Sequence, residues 1–409
     1  MRRTHPALLT LVLAAAGVCN AAEPQIDPRA RALHQQLLTL DTHLDTPMHL
    51  IWKDWSILDR HSVREDGSQV DLPRMIAGGL DGGFFAIYIP QGPITAEGDL
   101  AARDAALLRA LAIREMIARS PDRFQLALTA DDAAAIAARG KRIIYMSMEN
   151  GYPLEGDLSL MSTFFKLGVR LMSPVHFLNN RLGDSSTDPA GAKWNGLSEL
   201  GRQFVAEANR LGIVLDASHA SDAVLDQMIE LSTAPVLLSH SGAKAVFNHP
   251  RNVDDDRLRA LAAKGGVIQI YAYNDYMIAD PPDAGRSAAL AELQKSSRAL
   301  SQLSRAERRA LADKRLEIDR QFPRPRASMD DFMAHLLHAI SVVGVEHVGI
   351  GLDFDGGGGV RGLEDASDYP RITARLMKAG YSREDLQKIW SGNVLRVLKA
   401  AEAVAHPGN

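Results

Sequence analysis

The sequence predicts a parallel (β/α)8 barrel of the TIM type, with a helical insertion between its seventh and eighth strands. Two observations carry that prediction. Eight short apolar runs are spread along the chain, mostly separated by stretches of helical periodicity, as when parallel strands are joined by crossover helices. Six of those runs end in His, Glu or Asp, and such a barrel places its active site at the C-terminal ends of its strands.

Taken in order, Pro28 to Leu40 reads as a helix running into the first strand, which ends at Thr42-His43-Leu44-Asp45 before Pro47 stops it. Gly83 to Ile89 is the second strand, stopped by Pro90. Asp99 to Arg119 and Asp131 to Arg139 are Ala-rich helices, the latter capped by Asp131 or Asp132. Arg142 to Met148 is the third strand, ending at Glu149, and Val169 to Val175 the fourth, ending at His176. Leu197 to Leu211 is an amphipathic helix closed by Gly212. Ile213 to Ser218 is the fifth strand, ending at His219; Ser221 to Leu231 is helical; Pro235 to Ser239 is the sixth strand, ending at His240. A helix from Asp254 to Ala263 closes at Gly265-Gly266 and leads into Val267 to Tyr273, the seventh strand. Val348 to Leu352 is the eighth, ending at Asp353.

The link from Asp275 to Ala327 is over fifty residues long, more than a strand-to-helix connection needs. It holds two helical stretches, Ser287 to Leu303 and Arg305 to Phe322, and a stiff exit, Phe322-Pro323-Arg324-Pro325-Arg326. Ser328 with Asp331 then looks like a helix cap. This insertion leaves from the catalytic end, where it could cover the pocket, form an interface or simply be a solvated surface.

Residues 1–22 read as a secretory signal: Arg2 and Arg3, an apolar stretch from Leu8 to Val18, then small residues for cleavage. The remainder, 23–409, reads as one barrel domain, secreted or periplasmic after cleavage. The single cysteine, Cys19, lies in the signal, so the mature chain has no disulfide. A lipid anchor on Cys19 is disfavoured by Val18, where a small residue is expected, and Ala401 to Asn409 offers no apolar tail for another anchor. The formal charge is −4, and neither a basic patch nor a series of stacking aromatics suggests nucleic acid.

His43 and Asp45 lie two apart on a strand, so imidazole and carboxylate project to one face, and both suit a metal such as zinc. Glu149, His176, His219, His240 and Asp353 end other strands of the same barrel and would share that site. Asp355 has the same parity as Asp353, but Asp353 ends the apolar run while Asp355 belongs to the glycine loop. Asp41 and Asp216 precede candidate ligands and could orient them, or be ordinary strand polars. His335 and His338, three apart on an apolar helix, read as packed or rim residues; His347 starts the eighth strand, away from the site; nothing selects His49, His61 or His249.

The chain resembles the renal (membrane) dipeptidase family, a branch of the metal-dependent amidohydrolase barrels. The residues that carry the resemblance run from Asp41 to Val397: Asp41-Thr42-His43-Leu44-Asp45, Met148-Glu149-Asn150-Gly151, Leu215-Asp216-Ala217-Ser218-His219, Ser239-His240-Ser241, His249-Pro250-Arg251-Asn252 and Gly351-Leu352-Asp353-Phe354-Asp355-Gly356. The resemblance implies two zinc ions per chain, one on His43 and Asp45, one on His219 and His240, with Glu149 bridging. It implies Asp353 as general base and acid, His176 on the carbonyl oxygen, and Arg251 and Tyr276 on the substrate. Most amidohydrolase barrels bridge their metals with a modified lysine; no lysine ends a strand here, and Glu149 takes that place. The loop from Phe177 to Asp188 and the length of the insertion depart from the family, which bears on substrate choice and on any homodimer contact.

The expected activity is hydrolysis of dipeptides with a D-residue tolerated at the C-terminal position. An amidohydrolase acting on another small amide, lactam or lactone is the alternative in the same chemistry. A non-catalytic, metal-bearing periplasmic binding protein is the alternative in another class, and it would have no use for Asp353.

Overall fold

The computed structural model describes residues 25–295 and 300–406; the signal expected at 1–22 lies outside them. Eight parallel strands carry the fold: β1 Leu40–Leu44, β2 Gly82–Tyr88, β3 Arg142–Glu149, β4 Val169–Met172, β5 Val214–Leu215, β6 Leu237–Ala243, β7 Val267–Ile270 and β8 Val348–Ile350. They pair in chain order, β1 to β5 in one sheet and β6 to β8 in another. Single parallel bridges join the two sheets at both seams, Asp216 to Leu237 between β5 and β6 and Leu44 to Phe354 between β1 and the exit of β8. Backbone bonds from Ala217 N–H to Leu237 O (2.8 Å) and from Asp45 N–H to Phe354 O (3.0 Å) complete those seams, so the parallel sheet closes as a barrel.

Alternation along the strands sorts side chains between two cores. Leu40, Phe84, Ile143, Tyr145, Leu171, Val214, Leu237 and Val267 form one cluster with Val394, Val397 and Leu398 of the last helix, Asn393–Val404. Their neighbours Phe85, Ile144, Met146, Leu215, Leu238 and Ile268 join the larger cluster that packs against the surrounding helices. Glu149 has the parity of Ile143 and Tyr145. A register shift in β1 between Asp41 and Leu44 turns His43 and Asp45 inward while Leu44 stays in the outer cluster.

Several expected boundaries shift. β5 stops at Leu215, with a single bridge at Asp216, because Ala217 to Ala220 is a turn closed by the Ala220 N–H on Ala217 O (3.1 Å), and the Asp216 carboxylate accepts the Ser218 N–H (2.9 Å). β6 runs past His240 to Ala243, because Asn252–Val253 pairs with Gly242 and Ala243. β7 and β8 end at Ile270 and Ile350, two or three residues before the expected ends. The insertion holds its two helices, Ala284–Lys295 and Arg305–Gln321. Its neck is tied by the Asn274 side chain, which accepts the Ala327 N–H (2.7 Å). The Asp331 carboxylate accepts both the N–H and the hydroxyl of Ser328, as the cap predicted. Among the described residues no helix is long and apolar enough to cross a membrane.

Candidate metal centre

The strand ends bring His43, Asp45, Glu149, His176, His219, His240 and Asp353 into one buried cluster, each less than a tenth exposed. Glu149 stands at its middle. Its Oε1 lies 3.1 Å from His219 Nε2, 3.4 Å from His240 Nε2 and 3.6 Å from His176 Nε2, and its Oε2 lies 3.4 Å from His43 Nε2. His43 Nε2 is 3.1 Å from Asp45 Oδ2 and 3.9 Å from Asp353 Oδ1. His219 and His240 bring their Nε2 atoms within 2.9 Å of each other.

Backbone conformation aims these groups. His219 and Asp353 both sit in the left-handed region, at φ +68° and +63°, as do Asn150 (+73°) and Asp355 (+69°). Such backbone costs on the order of 1–3 kcal/mol per non-glycine residue and clusters at functional sites. Gly356 makes the close approach feasible: a Cβ there would fall 2.1 Å from Asp45 Oδ2 and 2.3 Å from Asp353 Oδ1.

The electrostatics are those of a cation site. Burial, then Arg251 and neighbouring imidazoles, hold His219 well below the usual histidine range; burial and His43 do the same for His240. Two neutral imidazoles facing each other at 2.9 Å can share at most one proton, whereas a cation satisfies both lone pairs. Burial works against a charged His43, yet Glu149 and Asp45 together hold it well above its usual value. Burial, with Asp45 and Glu149 adding to it against His43, lifts Asp353 well above the carboxylate range. Asp45 Oδ1 and His219 Nδ1 are buried without a hydrogen-bond partner. Among the described residues, three sets of donors lie close enough to hold an ion: His43, Glu149 and His240; Glu149, His176 and His219; His43, Asp45 and Asp353. The donors fit divalent metal, and His176 and Asp353 also lie within coordinating reach.

The expected supports take specific forms. Ser239 Oγ donates to Asp216 Oδ2 (2.5 Å) and faces His240 Nδ1 at 2.9 Å, so the chain Asp216–Ser239–His240 fixes Nδ1–H and leaves Nε2 free for a metal. Asp41 does not touch an imidazole; it accepts backbone N–H groups from His43 (2.9 Å) and Leu352 (3.0 Å). Asp355 is occupied by Thr46 Oγ1 (2.6 Å) and the Gln69 N–H, and burial lifts it to about 7.

Arg251 is buried at the wall of the site, donating to His240 O (2.9 Å) and Ser241 Oγ (3.3 Å), with its Nε–H unpartnered. Its guanidinium lies 5.7 Å from the ring centres of Tyr271 and Tyr276. Tyr276 stacks between His249 and Tyr273, 4.4 Å from each. His335 accepts the Ala243 N–H, His338 pairs with Asp255 (2.8 Å) and His347 meets Gly266 O, all apart from the cluster. His49 approaches the loop aspartate, 3.8 Å from Asp355 Oδ2, and His61 pairs with Asp66 at 2.8 Å. Tyr88 was not singled out from the sequence. It ends β2 and its ring lies 4.6 Å from that of His176 in a tilted contact; burial, then Glu149, Asp45 and Asp353, raise its pKa. The signal for it was parity, since Tyr88 shares the inward face of Phe84.

A family model for "Membrane dipeptidase (Peptidase family M19)" matches residues 28–409. The chain belongs to the membrane dipeptidase family. It is 31% identical over 377 residues to Dipeptidase tcpJ of Claviceps purpurea, covering 89% of this chain and 77% of that protein. Among solved structures, the probable dipeptidase PvdM from Pseudomonas aeruginosa is similar at a TM-score of 0.77 and 29% identity, with 92% of this chain and 98% of that one covered. A metallo peptidase from Rhodobacter sphaeroides, liganded with a phosphinate mimic of the dipeptide L-Ala-D-Ala, is similar at a TM-score of 0.68 and 25% identity, covering 89% and 99%. Family membership makes the protein a hydrolase of the dipeptidase class with a metal at its centre, on the barrel that the sequence predicted.

Proposed function

We propose that the protein is a secreted binuclear zinc dipeptidase, exported by residues 1–22, that accepts a D-residue at the C-terminal position of its substrate. The observation that carries the reading is Glu149, whose Oε1 faces His219 and His240 while its Oε2 faces His43. One carboxylate split between two imidazole groups is the arrangement that two neighbouring ions need. His43 and Asp45 would hold one ion and His219 and His240 the other. Bound there, the pair supplies a water acidified towards neutral pH and polarises the scissile carbonyl.

The remaining work falls to the chain's own side chains. Asp353, held above the usual carboxylate range by burial and by Asp45 and Glu149, takes the proton from the attacking water and returns it to the leaving amine. His176, kept neutral by burial and by Arg251, donates a hydrogen bond to the carbonyl oxygen as negative charge gathers on it. The unspent Nε–H edge of Arg251 grips the free carboxylate of the dipeptide, and Tyr276 flanks it. Tolerance of a D-residue is supported by the L-Ala-D-Ala mimic on the Rhodobacter sphaeroides relative.

The test is elemental analysis of the mature protein together with a screen of L,L- and L,D-dipeptides. About two zinc ions per chain and turnover of both series are expected. Protein that takes up no divalent metal after zinc loading, or that leaves every dipeptide intact, overturns the reading.

A further inference from the structure

We propose that the seam between the insertion and the segment following β1 is a binding site for an amphipathic carboxylate: a body of apolar carbon ending in one negative group. This seam lies apart from the residues assigned to dipeptide hydrolysis.

The seam holds an open-sided cavity of about 740 Å³, a size that suits a small ligand. Leu290 of one insertion helix and Leu311 and Leu316 of the other line one side, and Trp52 and Val63 of the β1 segment line the other. Apolar walls of this kind favour a hydrocarbon body.

Charge selects the head group. Arg308 lines the cavity with 3% of its surface exposed. Its guanidinium lies 5.0 Å from the centre of the Trp52 ring and donates only to the carbonyls of Leu303 (2.6 Å) and Lys53 (2.9 Å). No carboxylate pairs with it among the described residues, and its Nε–H is buried without a partner. Buried arginines are normally paired, because an unbalanced charge away from water is costly. The two carboxylates that line the cavity are committed elsewhere. Asp66 serves His61 (2.8 Å) and Ser68 (2.7 Å), and Asp319 serves Arg286 (2.6 Å) and Arg315 (3.4 Å). Arg64, also on the lining, is exposed and has no ion pair among the described residues. The cavity is therefore lined by one buried guanidinium without a carboxylate partner and one exposed guanidinium without an ion pair, beside an apolar wall. A carboxylate against Arg308 and Arg64, with its carbon chain along the leucines, satisfies both features.

Calorimetric titration of the metal-loaded full-length mature protein with decanoate tests the assignment. Saturable binding is expected. Leu311→Asp and Arg64→Glu, both on partly or fully exposed positions, should each raise the decanoate Kd about tenfold or more while leaving dipeptide hydrolysis at the wild-type rate. Decylammonium, of equal length and opposite charge, should bind about tenfold more weakly or worse. An unchanged Kd in both variants, equal affinity for the cation, or competition between decanoate and a dipeptide substrate would each overturn the proposal. The last result would place the carboxylate at the metal centre instead.

Discussion

Removing the Ser239 hydroxyl should weaken zinc binding while leaving the loaded enzyme nearly intact. In the protein, Ser239 Oγ donates to Asp216 Oδ2 and accepts from His240 Nδ1. Ser239→Ala deletes both bonds and strands the His240 Nδ1–H in a site where His240 is 1% exposed. A buried donor left without a partner costs about 1–3 kcal/mol. Loss of the group that orients a metal-bound histidine typically costs ~10–100-fold in metal affinity, equivalent to ~1.4–2.7 kcal/mol. Competition of the metal-free protein with a chromophoric chelator should therefore show the zinc Kd rising by about that factor, with kcat at saturating zinc falling only a few-fold.

Asp216→Asn sharpens the test. It keeps an acceptor for the N–H groups of Ser218 and Ser239, both of which bond to Oδ1. It puts an amide donor where Oδ2 received the Ser239 hydroxyl. Ser239 must then turn its proton towards His240 Nδ1, which drives the imidazole to the Nε2–H tautomer, the wrong one for a ligand at Nε2. This variant should bind zinc more weakly than Ser239→Ala. Wild-type zinc affinity in both, with folding unchanged by circular dichroism, would refute the reasoning that places His240 Nε2 on a metal.

Four further outcomes are expected. Asp353→Asn should lower kcat by ~10²–10⁴-fold with most zinc retained, whereas Asp355→Asn, which loosens a loop bonded to Thr46 and Gln69, should lower thermal stability more than kcat; steady-state kinetics beside elemental analysis separate them. Arg251→Ala should mainly raise KM for dipeptides, and amide substrates lacking a carboxylate should lose much less; equal losses would remove its assigned role. Gly356→Ala should lower both zinc content and kcat, since its methyl would overlap Asp45 and Asp353. Glu155, raised from 4.5 to about 7 by burial despite Arg181, binds a proton in the folded chain that the unfolded chain has already released. Its contribution therefore makes stability fall as pH rises from about 4.5 to 7, by up to ~3 kcal/mol. Glu155→Gln should flatten that part of the denaturation profile and raise Tm at pH 8.

How much of this was legible in the sequence depends on what fixes each residue. Where strand alternation decides, the placement is legible in the sequence: Glu149 follows the parity of Ile143 and Tyr145, and His43 and Asp45 share a face even across the irregular register of β1. Tyr88 obeys the same rule, but a tyrosine at a strand end carries no metal-ligand or acid–base signature by itself, and β2 ends in neither His, Glu nor Asp. The left-handed backbone of His219 and Asp353 has only a weak local signal: neither is glycine, although His and Asp enter that region more readily than most side chains. Strand lengths were misjudged wherever a partner decided them, as when Asn252–Val253 carries β6 past His240. The two N–H groups that Arg251 spends on β6 also depend on tertiary placement alone.

The two seams of the barrel show why the metal centre sits where it does. Each seam is held by a single bridge, because the strand beside it turns its ligands inward and gives up ladder hydrogen bonds. At both, one buried aspartate replaces what the ladder lost. Asp41 accepts N–H groups from His43 of β1 and from Leu352 beyond β8, and Asp216 accepts them from Ser218 beyond β5 and from Ser239 of β6. Backbone N–H groups left unpaired inside the barrel would be costly, so the aspartates stabilise the gaps that the ligands need. The first seam thereby presents His43, Asp45 and Asp353, and the second His219 and His240. Glu149, on the intervening β3, is the carboxylate within reach of both. Two groups of candidate ligands on either side of one shared carboxylate follow from closing a parallel barrel with two gaps, each spanned by an aspartate that touches those side chains only through backbone or through Ser239.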